Sequence, residues 1–225
     1  MKESWNRSPR TGTSIGWRTV LSGLMAWLLL CAAFPHAAAE AAGGQWIFVK
    51  ADAAGNADGS GWEHAYTDLH LAIEAAEDGD RIWVAAGTYY PTGHGTGRDA
   101  HFKLKNGVGI YGGFAGNEDP EAFDLNNRDF ALNETILSGN IDRDETVVGN
   151  VYHIFFNDNG LNETAVLDGV TIQDGYADGT LHHITGHGGG MYNTGSSPTL
   201  NNVTVRNNMA ANGAGIYNNA GSSPV

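Results

Sequence analysis

Cysteine is nearly absent: the 225 residues contain one, Cys31, near the N-terminus. Disulfides therefore cannot hold the chain together, and burial and backbone pairing must do so. Basic residues are also scarce, 12 Lys and Arg against 25 Asp and Glu, for a net charge of −13 at pH 7. So acidic a chain is a poor partner for nucleic acid, whose phosphates need Lys and Arg. The same charge disfavours anionic lipid, and polyanionic polysaccharide unless a metal bridges. The apolar run from Val20 to Phe34 is about 15 residues, short of the roughly 20 that a membrane span needs.

That run has the setting of an export signal. Lys2, Arg7, Arg10 and Arg18 precede it, and Ala37-Ala38-Ala39 follows as a small-residue cleavage site. Leu30 stands before Cys31, where a lipoprotein anchor would want a small residue, so Cys31 reads as part of the run. Residues 1–39 are expected to be removed. They hold four basic residues and one acidic, so the mature chain would carry −16. It would be secreted or held at the cell surface, and would not span the membrane.

Glycine, by contrast, is plentiful, and much of it recurs in register. Gly188-Gly189-Gly190-Met191-Tyr192-Asn193 returns 25 positions later as Gly213-Ala214-Gly215-Ile216-Tyr217-Asn218. Gly195-Ser196-Ser197-Pro198 returns as Gly221-Ser222-Ser223-Pro224, one position out of step. A period in this range marks a solenoid whose units bury their apolar side only by stacking. The unit carries short β-type runs, Thr199-Leu200, Val203-Thr204-Val205 and Gly215-Ile216-Tyr217. Three short strands and three turns describe one turn of a parallel β-helix. Two earlier echoes extend the pattern. Asn201–Asn208 aligns with Asp168–Gly175, 33 positions back, and that segment with Asn106–Gly113, a further 62 back. Asn133–Gly139 aligns with Asn162–Gly169. The period-2 apolar pair in each copy suits a strand with one face in a core.

Near the start, Gln45–Val49 and Arg81–Val84 read as strands and Gly87–Pro91 as a turn. Between them Leu69, Ala72, Ile73 and Ala76 lie at i, i+3, i+4 and i+7, the apolar face of a short helix. Thr67 is its expected N-cap, with Asp68 in the first turn. Such a helix suits the exposed end of a solenoid, where it covers apolar core and unpaired edges. Residues 91–100, 115–134, 141–150 and 176–187 read as excursions. The expected organisation is a signal (1–39), a first strand, helix cap and first turn of the β-helix (40–90), and further turns (91–225). Val225 falls where another strand should begin, so the sequence is expected to be the first part of a longer chain.

The segment from Trp62 to Tyr89, with Ala65-Tyr66-Thr67-Asp68-Leu69 and Ile82-Trp83-Val84-Ala85-Ala86-Gly87-Thr88-Tyr89, resembles a known group, whose Gly-Gly-Ala-aliphatic repeat Gly188-Gly189-Gly190-Met191 and Gly213-Ala214-Gly215-Ile216 approximate. They resemble secreted right-handed parallel β-helix proteins with polymorphic outer membrane protein-type repeats, relatives in shape of the pectin lyases. Val205-Arg206-Asn207-Asn208 stands where that repeat has Phe-x-x-Asn, with Val in place of Phe. The resemblance covers residues 46–225. It implies an all-β, right-handed parallel β-helix with an N-terminal capping helix, and an extracellular location. It leaves activity open, because the group includes adhesins, surface proteins and carbohydrate-active enzymes.

For chemistry, Asp142, Asp144 and Glu145 follow Asn140 in a loop with oxygen side chains at alternate positions. They are the candidate ligands for calcium, a hard cation that takes six to eight oxygens. His182, His183 and His187 have metal-like spacing but lie among glycines, without the helix that would align them. Gly93-His94-Gly95-Thr96-Gly97 and Gly186–Gly190 lack the Lys-Ser/Thr of a phosphate loop. A β-helix lyase would need a base, a hydrolase close carboxylates. Lys103, Lys105, Arg128, Arg143 and Arg206, with Arg98 in an excursion, supply cations, but no motif singles one out. No catalytic residue is therefore named. The reading is a non-catalytic adhesin, stalk or glycan-binding scaffold facing extracellular polysaccharide or a cell-surface ligand. The alternative is a polysaccharide lyase or glycoside hydrolase.

Overall fold

Among the described residues only parallel ladders join the strands, and that single fact organises the fold. The computed structural model describes residues 44–225, so the stretch expected to be an export signal lies outside the described residues. The first strands are β1 (Trp46–Val49), β2 (Arg81–Ala85), β3 (Gly87–Tyr89), β4 (Gly109–Phe114) and β5 (Thr135–Ser138). Next come β6 (Phe155–Asn157), β7 (Val166–Asp168), β8 (Val170–Gln173), β9 (Tyr176–Ala177) and β10 (Met191–Thr194). The last are β11 (Thr199–Asn201), β12 (Thr204–Arg206), β13 (Met209–Ala210) and β14 (Ile216–Asn219). One α-helix, α1 (Leu69–Ala75), occurs among the described residues, and the fold is all-β. No helix among them is long and apolar enough to cross a membrane.

Four sheets result, ordered β1-β2-β4-β7-β11, β3-β5-β8-β12, β6-β10-β14 and β9-β13. The chain visits all four in the same order twice, as β7 to β10 and again as β11 to β14. The 25-residue repeat is one rung of this stacking: Met191, Tyr192 and Asn193 pair with Ile216, Tyr217 and Asn218. The 33-residue echo is another, with Thr171 and Ile172 opposite Thr204 and Val205. The slipped residue falls at Ala220, whose φ of 52° absorbs it. Beyond it, Ser222 Oγ accepts from the Ser196 N–H at 3.0 Å.

The two older echoes are out of register. Ile110 pairs with Leu167, 57 residues on, and Thr135 with Val170 in a different sheet from β7. The cause is corner chemistry. Gly107, Gly169 and Asn202 all take positive φ, 74°, 74° and 49°, immediately before apolar residues. Asn/Asp-Gly followed by alternating apolar residues therefore marks a left-handed corner leading into a strand. Several corners share it, so it does not identify a rung. Gly87–Tyr89, expected as a turn, is strand β3, paired with β5. Its Thr and Tyr favour extended backbone, and the partner lies about fifty residues away.

The interior is apolar, filled by Val49, Ile82, Ile110, Leu137, Leu167, Ile172, Phe102, Phe155 and Met191. Helix α1 adds Leu69, Ala72 and Ile73 and packs on β1 and β2. Its cap is Asp68, one residue later than expected. Asp68 has the extended backbone, and its carboxylate accepts from the His70 N–H at 2.8 Å and the Thr92 hydroxyl at 2.7 Å. A second apolar cluster, Phe48, Trp83, Phe114 and Ala65, packs beside Phe123 and Leu125, so the 115–134 excursion lies against the five-stranded sheet. Glu118 fixes that excursion by accepting from the N–H groups of Ala115, Gly116 and Asn117.

One polar line enters the core. The Asn157 amide donates to Asn193 Oδ1, and Asn193 to Asn218 Oδ1, both at 2.9 Å. Asn157 and Asn193 are fully buried. Asn193→Ala would leave the buried Asn157 amide without its acceptor, whereas the exposed Asn218 can turn to water. It is expected to cost about 1–3 kcal/mol in a urea titration. A loss below about 0.5 kcal/mol would mean that water replaces the missing amide.

Candidate functional site

The sequence-named carboxylates do not assemble. Asp142, Asp144 and Glu145 are all exposed. Asp144 Oδ1 accepts from the Thr146 N–H at 2.8 Å and the Thr146 hydroxyl at 3.1 Å. The Asn140 amide donates to the Asp144 carbonyl at 2.8 Å. The alternating spacing thus builds a solvated turn. Among the described residues, only His70, Glu74 and His94 form a group of three or more such side chains with ligand atoms within 4.8 Å of one another. His182, His183 and His187, the histidines singled out from sequence, form no such group either. His183 caps the 3₁₀ turn Ile184–Gly186, whereas His187 is buried and stacks on Tyr217 at 4.5 Å.

The cations named from sequence are engaged. Arg128 pairs with Asp168 at 3.1 Å, Arg206 with Glu134 at 3.1 Å and Arg98 with Asp178 at 2.8 Å. Lys103 pairs with Asp158, Lys105 donates to the Ala76 carbonyl beyond α1, and Arg143 lies 4.8 Å over the Tyr90 ring.

What the fold brings together is a track of rings. His70 on α1 meets His94 edge-on at 4.8 Å, and His94 stacks on His101 at 5.5 Å. His101 meets Phe156 of β6 at 5.3 Å. Phe156, Tyr192 and Tyr217 occupy one rung position of β6, β10 and β14 and follow at 5.2 and 5.4 Å. Parallel in-register pairing dictates this ladder, because side chains at equal positions must stack at the strand spacing of about 4.8 Å.

Two clefts meet on the track at His94. One, of about 360 Å³, is lined by Ile73, Glu74, His94, Lys103, Leu104 and Asn159. The other, of about 150 Å³, is lined by His94, His101, Tyr152, His153, Phe156 and Ile184. Their imidazoles are held neutral. Burial pushes His153 down to about 4. Burial likewise lowers His94 and His101, with the neighbouring imidazoles and Lys103 acting in the same direction. His153 Nδ1 lies 3.0 Å from the Gly188 carbonyl. Nδ1 must therefore carry the proton, and Nε2 is left as a lone-pair acceptor. That Nε2 is buried and has no partner. The aromatic walls of the cleft suit a ligand with an apolar face that packs on rings.

Comparisons of the chain with protein-family models, curated proteins and solved structures found no match. The residues of this site were not legible as a set. His70 and Glu74 stand at i,i+4 on the helix, a spacing that could have been noticed. Nothing in the sequence ties them to His153.

Proposed function

We propose that this chain is an exported right-handed parallel β-helix, closed at one end by α1, that binds an extracellular polysaccharide without cleaving it. The four-sheet succession repeated from β7–β10 to β11–β14 supports the architecture. The basic and apolar segments before residue 40 support export. The observation that carries the functional reading is the aromatic-walled cleft beside Phe156, with the unpaired Nε2 of His153 just beneath its surface, where a small turn of the ring would open it to a ligand. A sugar offers what that cleft lacks, an O–H donor beside an apolar C–H face that packs on rings. The acidic surface favours a neutral glycan. Binding is preferred to cleavage because four of the six cations that a lyase could use as a base, Arg98, Lys103, Arg128 and Arg206, are paired with carboxylates.

The test is a screen of the full chain against neutral and uronate polysaccharides for binding and depolymerisation, with calcium and with chelator. Retention on a neutral glycan without product release is expected, weakened at least tenfold in His153→Phe. Chelator-sensitive product release would replace this reading with a lyase. Retention indifferent to His153→Phe would remove the cleft from it.

A further inference from the structure

We propose that His70, Glu74 and His94 form a binding site for zinc or a similar transition-metal ion, which ties α1 to the loop after β3. This site does not depend on the glycan reading. His70 and Glu74 lie at i,i+4 on one face of α1, with Nε2 and Oε1 3.1 Å apart. Zinc holds nitrogen and oxygen at about 2.0–2.2 Å, so tetrahedral ligands lie about 3.3 Å from one another. The helical pair already has that separation. The His94 ligand atom lies within 4.8 Å of the other two, so the side chain needs to move by at most about 1.5 Å. His94 is exposed and free to do so.

A helical His–Glu hydrogen bond alone would account for 3.1 Å. It would not account for the loop. His94 is held at φ 53°, a left-handed conformation that costs a non-glycine residue. Gly93 before it lies so close to the His70 ring that a Cβ there would come 1.8 Å from Nε2. The backbone is thus bent to deliver one imidazole onto another. His70 is buried, and its Nδ1 has no protein partner. In the metal-free protein Nε2 carries the ring proton and donates it to Glu74, and a metal binding there would displace that proton, as metals do at imidazole ligands.

The ligand types select the ion. Two imidazoles and one carboxylate suit zinc, copper or nickel, whereas calcium wants oxygen alone. Three protein ligands leave a fourth position for water, and the cleft lined by Glu74 and His94 gives access to it. Lys103 lines the same cleft, but Asp158 pairs with it and offsets its charge.

The experiment is a calorimetric titration of Zn²⁺ into the full chain, produced without a polyhistidine tag and stripped with chelator. Co²⁺ serves as a spectroscopic probe. One ion per chain at micromolar affinity or tighter is expected, with the strong visible absorption of tetrahedral Co²⁺. His94→Ala and Glu74→Gln, both at exposed positions, are expected to weaken binding at least tenfold, and His182→Ala to leave it unchanged. Zn²⁺ should raise the thermal midpoint of the parent protein and not that of His94→Ala. No saturable binding would overturn the proposal, as would binding that both site variants leave within twofold.

Discussion

Replacing Asp168 with alanine is expected to lower the unfolding free energy by about 3–5 kcal/mol. Asp168 ends β7 and faces Arg128, which returns from the 115–134 excursion. Both side chains are nearly sealed from solvent, at 11% and 5% exposure. Arg128 Nη2 donates to Asp168 Oδ2 at 3.1 Å, Nη1 to the Gly112 carbonyl at 3.1 Å and Nε to the Leu125 carbonyl at 2.9 Å. The other Asp168 oxygen accepts from the Asn202 amide at 2.9 Å. Without the carboxylate, a desolvated guanidinium is left with carbonyl dipoles and ring faces but no counter-charge. A buried pair adds little over apolar residues of equal volume, but breaking it strands a charge. The double variant Arg128→Met, Asp168→Leu should therefore recover much of the loss. Urea titrations of the two single variants and the double one measure the coupling directly. A cost below about 1 kcal/mol for Asp168→Ala would mean that water reaches Arg128 and that the excursion is only loosely docked.

The expected Asp168→Ala loss comes from a contact that no local pattern announces, and this separates what the sequence reveals from what it conceals. The C-terminal repeat was legible because its two copies are adjacent rungs, so similarity in sequence and contact in space coincide. The apolar face of α1 was legible because Leu69, Ala72, Ile73 and Ala76 satisfy a helical period without outside help. The cap was misplaced by one residue because Thr67 and Asp68 are both good capping residues, and only the backbone angles choose between them. Register across the excursions was hidden. An insertion changes the number of residues between rungs without changing the rung, and the Gly and Asn corners look alike from one sheet to the next. The ring track crosses three such boundaries, from His70 through His94 and His101 to Phe156. Asp142, Asp144 and Glu145 illustrate the reverse. Their alternation is conspicuous in sequence, but in this exposed loop Asp144 and Asn140 bond within the turn and the three carboxylates form no close ligand group.

Acid should destabilise the protein through His153 by about 3 kcal/mol between pH 6.5 and 4. The direction follows from where the proton goes. The unfolded chain takes it near the ordinary value of 6.5, whereas burial holds the folded ring neutral down to about 4. Across that window the unfolded state binds more protons, so stability falls as pH falls. Above 6.5 both states are neutral, and below about 4 both are charged, so the term changes no further. His94 and His101, also lowered by burial, steepen the same decline. Asp158, held below its ordinary 3.8 by Lys103, contributes only at lower pH. Urea titrations at several pH values should give a slope that His153→Phe flattens, because phenylalanine keeps the ring packing against Phe156 and Tyr192 without a titrating group. The same nitrogen links stability to binding. A proton on Nε2 removes the acceptor offered to a sugar hydroxyl, so glycan retention should hold from neutral pH to about 4, where the folded ring titrates. Equal slopes in parent and variant would mean that His153 gains its proton unopposed. The cleft would then be wet, and the unpaired acceptor would have water for a partner.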